Sequence, residues 1–426
     1  MEMILAIVIF ALAYVFIATE KISRIAIVLT GAALMVLIGA TDADKAFYSH
    51  ETGIDWNVIF LLLGMMIIVG VIHKTGLFEY LAVVSLKKSG GKPKIALVYL
   101  LILTAVASAI LDNVTTILLA VPMTIIACKY LNVSAVPFIL SEVYISNIGG
   151  AATLVGDPPN IIIASKANLS FNSFLVHMAP MVIVVLIVII PLLVLLFRKE
   201  LINSESDRDQ IMKLSPREYI TDVFLLKKSL FVLALVMVAF ITHTVLHLEP
   251  SVIALLGAGI LVAISGLKPK DFVADIEWST LIFFAGLFIM VGALVNVGAL
   301  AEFANFLQEL FGDDLKLAAG SILGISAVLS GLIDNIPYVA SMSPVVAQLS
   351  EGLVGRQEHV LWWALAFGAD FGGNSTIIGA SANVVAIGLA YKAGIKISFW
   401  KFAKYGIIVT AISIAMVYPY IYLFYF

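Results

Sequence analysis

Long apolar runs alternate with short polar and charged segments along all 426 residues of the chain. A helix needs about 20 mainly apolar residues to cross the hydrocarbon core of a bilayer. Ten runs approach or exceed this length: 3–19, 23–40, 57–72, 134–165, 177–197, 229–245, 251–266, 279–295, 360–391 and 405–424. The pattern predicts an all-α polytopic membrane protein.

Two further apolar stretches, 95–128 and 317–350, each carry an Asp-Asn pair near the middle. The pairs stand in "SAILDNVTTILLAVP" and in "LSGLIDNIPYVASMSP". Each stretch is long enough for two short helices that meet at the pair. We therefore predict two re-entrant helix–turn–helix hairpins, which enter and leave the membrane on one side and do not fully cross it.

The segments 134–166 and 360–391 are also predicted to be interrupted, because neither reads as one continuous helix. The first contains "NIGGAATLVGDPPN", and the second contains "GADFGGNSTIIGASAN". Glycine and proline pairs destabilise a helix interior, so the chain should unwind at these points. Both segments are therefore predicted to be broken helices, and a kink that only packs against its neighbours is the alternative.

The sequence contains an internal repeat. "IDWNVIFLLLGMMIIVGVIHKTGLFEYLA" resembles "IEWSTLIFFAGLFIMVGALVNVGALAEFA" 222 residues later, and the broken helices align at a shift of 223. Repeat 1 is predicted to cover 1–197 and repeat 2 to cover 229–426, with 198–228 as a cytoplasmic linker. Each repeat then has about five transmembrane helices, a hairpin and a broken helix. Long repeats of this kind are typical of transporters.

Lysine and arginine predict the orientation. They concentrate in 20–24, which contains Lys21 and Arg24, and in 74–94, 198–228 and 392–404, so these segments should be cytoplasmic. The loops 41–55 and 296–316 are acid-rich. Five crossings per repeat is an odd number, which predicts that the two repeats are inverted. The first apolar run lacks the basic start of a signal peptide.

Composition excludes several classes of protein. The chain is 62% hydrophobic and 12% charged, with mean hydropathy +1.09, which a soluble domain of this size cannot tolerate. A net charge of −3 argues against a nucleic-acid partner. One cysteine, Cys128, excludes an intrachain disulfide or a multi-thiolate metal site. The motifs of intramembrane aspartyl proteases and of HExxH zinc enzymes are absent, so we predict a protein that is not an enzyme.

The hairpin tips are candidate ion-binding sites. A charged group in mid-membrane costs about 2.5–3.5 kcal/mol on insertion scales, so an aspartate there predicts a function. The tip candidates are Asp112, Asn113, Thr115, Thr116, Asp334 and Asn335. Helix capping alone is the alternative. We expect Asp112 and Asp334 to face a polar cavity between the two repeats and to balance a bound cation, such as sodium, or to exchange protons.

The breaks in the two interrupted helices supply a second set of candidate ion- or solute-binding residues. An unwound helix exposes backbone polar groups inside the membrane. The members of this set are Asn147, Gly149, Thr153, Asp157, Asn160, Asp370, Asn374, Ser375, Thr376 and Asn383. The alignment places Asn147 opposite Asp370, and Asp157 opposite Ala380. We therefore predict that Asp370 lies nearer the transported ion and that Asp157 is more structural. Glu142 is left open as either a proton-binding group or a loop-end residue.

The residues of "LDNVTTILLAVP" and "NIGGAATLVGDPPN" resemble the arsenite-efflux permease and melanosomal P protein branch of the ion transporter superfamily. The resemblance covers essentially the whole chain. It implies inverted repeats, a homodimer and an elevator-like motion, with a soluble ATPase subunit as a partner if arsenite is the substrate. Dicarboxylate carriers of the superfamily keep a Ser-Asn-Thr signature at the tip, where this chain has an aspartate, Asp112.

We therefore expect a secondary active transporter of the inner (cytoplasmic) membrane, without a cofactor, coupled to protons or sodium. Export of arsenite or a related inorganic solute is the first expectation. A sodium/proton antiporter is the alternative within transport, and a passive anion channel is the alternative from another class.

Overall fold

The computed structural model describes residues 1–19, 22–202, 208–312, 314–351 and 353–426. Lys21 and residues 203–207 of the predicted linker lie outside the described residues.

The first half contains eleven helices in the described residues. They are α1 (Glu2–Thr19), α2 (Arg24–Leu37), α3 (Ala43–Tyr48), α4 (Trp56–His73), α5 (Leu77–Lys88), α6 (Pro93–Ile110), α7 (Asn113–Leu131), α8 (Val136–Gly150), α9 (Pro158–Ala167), α10 (Phe171–His177) and α11 (Ala179–Leu196). The linker carries α12 (Arg208–Lys213) and a 3-10 turn, Pro216–Tyr219.

The second half follows the same order, except that no helix among its described residues corresponds to α10. Its helices are α13 (Val223–Leu246), α14 (Pro250–Ser265), α15 (Pro269–Val273), α16 (Trp278–Asn296), α17 (Ala299–Phe311), α18 (Leu315–Leu332), α19 (Asn335–Leu349), α20 (Val360–Gly372), α21 (Ser381–Lys392) and α22 (Phe399–Tyr425). Two 3-10 turns, Gly355–Gln357 and Ile377–Gly379, flank α20.

The chain is an all-helical, multi-pass membrane protein. Within the described residues, eight helices are long and apolar enough to cross a membrane: α4, α6, α7, α11, α13, α16, α18 and α22. Four shorter apolar helices, α1, α2, α14 and α20, accompany them. The helices α6 and α7 have 18 and 19 residues, so they are longer than the short hairpin helices that the sequence suggests. That the hairpins do not fully cross stays a prediction.

Two segments that the sequence analysis treats as loops contain helices. The basic segment 74–94 forms α5, and the acid-rich segment 296–316 forms α17. The helix α17 is amphipathic, since Leu307 and Phe311 are buried while Glu302 and Glu309 are exposed. Charged residues interrupt the apolar sequence of both segments. A count of continuous apolar runs therefore misses these amphipathic helices.

The two halves interlock through crosswise helix pairs. The helix α4 of the first half packs against α14 of the second, and α16 of the second half packs against α2 of the first. Gly64 of α4 lies against Ala254, and Gly286 of α16 lies against Val28. Small residues at such crossings allow the helix backbones to approach closely, which is the usual basis of helix packing in membranes.

Three of the predicted cytoplasmic segments meet at one end of the molecule. The Thr221 N–H donates to the Thr75 carbonyl oxygen at 3.0 Å, and Lys401 pairs with Glu200 at 3.2 Å. At the other end, Asn296 donates to Thr41 at 3.1 Å, which joins the two acid-rich segments. These contacts agree with the grouping of loops on which the predicted orientation depends.

Candidate ion and solute site

Both hairpins turn at their Asp-Asn pair. The helix α6 ends at Ile110 and α7 begins at Asn113. Asp112 caps α7, because its Oδ1 accepts from the Thr115 N–H at 2.7 Å, and its Oδ2 accepts from the Thr115 hydroxyl at 2.5 Å. Asp334 caps α19 in the same way, by accepting from the Ile336 N–H at 3.1 Å. The capping that we considered as an alternative is therefore present, and it engages the aspartates, not the asparagines.

Each tip is held to its own broken helix by two hydrogen bonds that correspond between the halves. In every case a hydroxyl donates to a backbone carbonyl oxygen. In the first half the bonds are Ser108 to Ser146 at 2.6 Å and Thr153 to Ala109 at 2.6 Å. In the second half they are Ser330 to Ala369 at 2.6 Å and Thr376 to Gly331 at 2.5 Å. Tip and break therefore form one unit in each half.

The broken helices unwind between α8 and α9 and between α20 and α21. The breaks leave backbone carbonyl groups without helical partners. Asparagine side chains at equivalent positions in the two halves donate hydrogen bonds to these groups. Asn160 donates to the Thr153 carbonyl oxygen at 3.2 Å, and Asn383 donates to that of Thr376 at 2.8 Å. Buried backbone groups need such partners within a membrane. Asn160 and Asn383 thus stabilise the breaks as well as facing the centre.

The backbones of α8 and α6 approach each other closely at Gly149, which explains why this position has a glycine. An added Cβ at this position would lie 2.6 Å from the Ala105 carbonyl oxygen of α6. The equivalent Gly372 meets Ala327 at the same distance. Glycine is required here so that hairpin and broken helix can touch.

We expect Gly149→Ala to destabilise the protein by about 1–3 kcal/mol, because the overpacked backbone must shift. Thermal unfolding in detergent measures the change. The matched control is Gly324→Ala in α18, where an added Cβ meets nothing within 4 Å. The control should unfold at the wild-type temperature or above, since alanine favours helix by about 1 kcal/mol. Equal unfolding temperatures for the two variants would contradict the packing argument.

A buried network of amides and one carboxylate joins the two halves at the centre. Asn113 of the first tip donates to Asp157 Oδ2 at 2.8 Å and to Asn147 Oδ1 at 3.2 Å. Asn335 of the second tip approaches Asp157 at 3.4 Å. Asn147 then donates to Asn374 and to Asn383, at 2.9 Å in both cases. The structure thus brings six of the predicted residues into one continuous network.

Asp370 adjoins this network, and its carboxylate accepts no close hydrogen bond from the described residues. Its side chain is fully buried, it lies beside Asn160, and its charge interacts with that of Asp157. Neither carboxylate oxygen makes a close hydrogen bond within the described protein, and the side chain of Asn160 is the polar group that lies near enough to favour the charged form. Asp157, in contrast, accepts from both hairpin tips. The two central carboxylates are therefore bonded very differently.

Among the described residues of the centre, the buried polar side-chain atoms without a partner are all oxygens. They are Asn113 Oδ1, Asn160 Oδ1 and both carboxylate oxygens of Asp370. Oxygen atoms without donors can accept hydrogen bonds from a solute or coordinate a hard cation such as sodium. The centre is therefore suited chemically to a cation or to a solute rich in hydrogen-bond donors.

Asp334 has a partner that the sequence did not indicate. Arg24, at the start of α2, donates to Asp334 Oδ2 at 2.7 Å and to the Ser381 hydroxyl at 3.1 Å. The Asp334 side chain is 2% exposed and that of Arg24 is 24% exposed, so a buried carboxylate is paired with a partly buried guanidinium group. The Tyr14 hydroxyl of α1 bonds to the Pro337 carbonyl oxygen one turn further along. Helices α1 and α2 therefore hold the second tip from outside its repeat.

Other predicted residues lie around the centre. Asp112 is buried, and its charge interacts with that of Glu277 at the start of α16. Ser375 donates to Thr410 of α22 at 3.1 Å. The Thr116 hydroxyl has no partner in the described protein and faces a small cavity away from the network.

Sequence reasoning missed Arg24, Ser381 and Glu277. Arg24 and Glu277 stand at the ends of apolar runs, where charges normally mark only the membrane boundary. Ser381 lies at the second break, in the aligned region, but a lone serine there carries no special pattern.

Comparisons with known proteins agree with this architecture. The model of the CitMHS family, described as "Citrate transporter", matches residues 14–368. An uncharacterized transporter of Mycobacterium tuberculosis is 52% identical over 425 residues, which cover 99% of each chain. The 46 kDa membrane protein of Mycobacterium leprae is 51% identical over 423 residues, again 99% of each chain. The chain is thus similar to whole transporters from end to end.

More distant relatives include the human P protein. It is 33% identical over 491 residues, which cover 97% of this chain and 59% of that protein. Among solved structures, the YdaH transporter of Alcanivorax borkumensis matches with a TM-score of 0.57 at 14% identity, covering 91% of this chain and 87% of that one. This likeness shows a shared fold. The similarity to P protein confirms one part of the predicted resemblance, and the family match adds a relationship that the sequence analysis did not name.

The chain belongs to the CitMHS citrate transporter family of the ion transporter superfamily, and it is a secondary membrane transporter and not an enzyme.

Proposed function

We propose that the protein is coupled to protons or sodium and exports arsenite, or a related inorganic solute, across the inner membrane. One observation carries the proposal: the centre combines two buried carboxylates, Asp157 and Asp370, with unpartnered oxygen acceptors. None of the ion pairs formed by the described residues involves either carboxylate. A mobile cation is then needed to balance their charge.

Arsenite suits the remaining acceptors. At neutral pH it is the uncharged arsenous acid, whose three hydroxyl groups are hydrogen-bond donors. Asn113 Oδ1 and Asn160 Oδ1 have no donor within the described protein. A free anion fits less well, because Arg24 at the edge of the site is already engaged by Asp334. A passive anion channel is disfavoured for the same reason.

Sodium/proton antiport is the second candidate. It is favoured by Asp370, whose two free oxygens can exchange a proton for a cation without any solute. Citrate, which the family description names, is a third solute to test. Its negative charges would need accompanying cations at this centre.

The proposed motion is elevator-like, within a homodimer. The hydroxyl bonds that hold each tip to its broken helix favour a core that moves as one body. Tyr14 and Arg24 contact that core from helices α1 and α2. These contacts would break and reform as the core moves. A soluble ATPase partner is a proposal that depends on arsenite being the substrate.

Flux into proteoliposomes tests the function. Purified protein is reconstituted, and uptake of arsenite, sodium, citrate and chloride is compared under imposed pH and sodium gradients. We expect arsenite to accumulate above its external concentration only when a pH or sodium gradient is present. Protein-free liposomes control for leakage. Sodium flux driven by pH without solute would favour the antiporter, whereas chloride flux that only follows its own gradient would favour the channel.

A further inference from the structure

Glu142 is a buried carboxyl group that the central network does not use. It lies in the middle of α8 and is fully buried. The Thr124 hydroxyl of α7 donates to Glu142 Oε1 at 2.5 Å, whereas Oε2 has no partner within the described protein. A half-satisfied carboxylate at this depth is costly, which makes a purely structural role a poor explanation.

A small cavity lies beside the Glu142 side chain. It is enclosed by α5, α6, α7 and α8, and Glu142, Thr104, Thr116 and Thr124 form its polar wall. About 20 Å³ of it can be occupied by the centre of a water molecule, and one water needs about 10–15 Å³. The Thr116 hydroxyl is a second unpartnered group in the same wall. The cavity can therefore hold a water that bridges two polar groups.

The cavity connects Glu142 with the first hairpin tip. Thr116 lies in the first turn of α7, and its N–H donates to the Asp112 carbonyl oxygen at 2.9 Å. The residues that line the cavity include no ionisable group besides Glu142. Cys128 lies one helical turn beyond Thr124 on the same face of α7, which is close enough for the charge of Glu142 to act on its thiol. Among the ion pairs of the described residues, none provides Glu142 with a fixed positive charge.

The second half of the chain lacks this arrangement. At the alignment that matches the other site residues, Leu365 stands opposite Glu142 and Val346 stands opposite Thr124. Leu365 and Val346 are both fully buried. An apolar pair therefore satisfies the packing at this position, so packing does not account for the acid and the hydroxyl in the first half.

We propose that Glu142 binds and releases the coupling proton, at a site separate from the central carboxylates. This inference rests on the proposed function, in which proton movement drives the solute. The proton binds at Oε2, which then donates to the cavity water or to Thr116, while Oε1 continues to accept from Thr124. Binding neutralises the buried charge, and release restores it. Asp157 and Asp370 remain available for the solute and its cation.

Infrared spectroscopy tests proton binding without knowledge of the solute. Cys128 is the single cysteine of the chain, so the protein has one S–H stretching band, in a spectral region free of other protein bands. We expect this band to shift with pH in the wild type and to stay constant in Glu142→Gln. The shift should persist in Asp370→Asn. Loss of the band in Cys128→Ser checks the assignment. A band that does not respond to pH in the wild type, or still responds in Glu142→Gln, overturns the proposal.

Proteoliposome flux tests the coupling. The ratio of pH-driven flux to solute exchange, measured with arsenite, citrate and sodium as probes, should fall at least about tenfold in Glu142→Gln. An unchanged ratio would refute the coupling role while leaving the proposed function intact. If the wild type carries none of the probes, the proposed function fails, and the infrared titration still decides whether Glu142 binds a proton. If Glu142→Gln does not fold, the double variant Thr124→Val/Glu142→Leu is used in its place. This double variant introduces the apolar pair found at the equivalent positions of the second half.

Discussion

Asp370→Asn will lower the rate of cation-coupled transport by about 100-fold or more and leave the protein folded. Neither oxygen of Asp370 makes a close hydrogen bond within the described protein, so an amide of the same size removes the buried charge without breaking such a bond. Burying a charge is unfavourable, and stability should therefore stay the same or rise. Flux under an imposed gradient and thermal unfolding in detergent measure the two quantities.

Asp157→Asn is the informative comparison. Asp157 accepts from Asn113 at 2.8 Å and is approached by Asn335. An amide nitrogen in place of one oxygen would face these donors, and a lost buried hydrogen bond costs about 1–3 kcal/mol. This variant should lose stability as well as transport. Asp42→Asn, at an exposed helix cap, controls for the exchange of acid for amide. Equal losses of stability and of ion dependence in the two central variants would contradict distinct roles.

Arg24→Gln should destabilise the protein by about 3–5 kcal/mol, since it leaves the buried carboxylate of Asp334 without its ion-pair partner. The double variant Arg24→Gln/Asp334→Asn should recover most of this loss, because no charge is then left unpaired. Midpoints of thermal unfolding in detergent rank the variants. We also expect the single variant to lose transport, because the second tip is no longer held against α2.

Lys401→Gln provides the matched control for this pair. Lys401 and Glu200 form an ion pair whose side chains are 37% and 34% exposed. Breaking a pair that is this accessible to solvent costs about 0–1 kcal/mol. If the double variant Arg24→Gln/Asp334→Asn unfolds at the same temperature as Arg24→Gln or below it, the unpaired charge of Asp334 is not the cause of the lost stability.

The sequence predicts the interruptions in the helices well, because their causes are local. The Asp-Asn pairs, the glycine pairs and Pro158-Pro159 act on the backbone within a turn or two, and the internal repeat gives each signal twice. The ends of α8 and α20 at Gly150 and Gly372 follow from such signals. The helices α5 and α17 were missed because charges interrupt their apolar faces.

The partners of the site residues were much less predictable. Arg24 and Asp334 are 310 residues apart in sequence, and no periodicity links them. The sequence did not indicate which tip residues cap the helices: both aspartates do so, and Asn113 and Asn335 make the central bonds. That the aspartates also balance a cation or exchange protons stays a prediction. Which of two adjacent polar residues faces inward depends on the rotation of the helix that follows, which only tertiary packing determines.

The mismatched positions of the two halves have an evolutionary consequence. A symmetric dimer of half-length chains would present every side chain twice about its axis, so its carboxyl groups could be added only in pairs. Asp370 faces Asn147 in the alignment, Asp157 faces Ala380, and Glu142 faces Leu365. Each acid thus exists in one half alone. A single chain that carries both halves is free of this constraint, so its charge at the centre can change by one unit at a time.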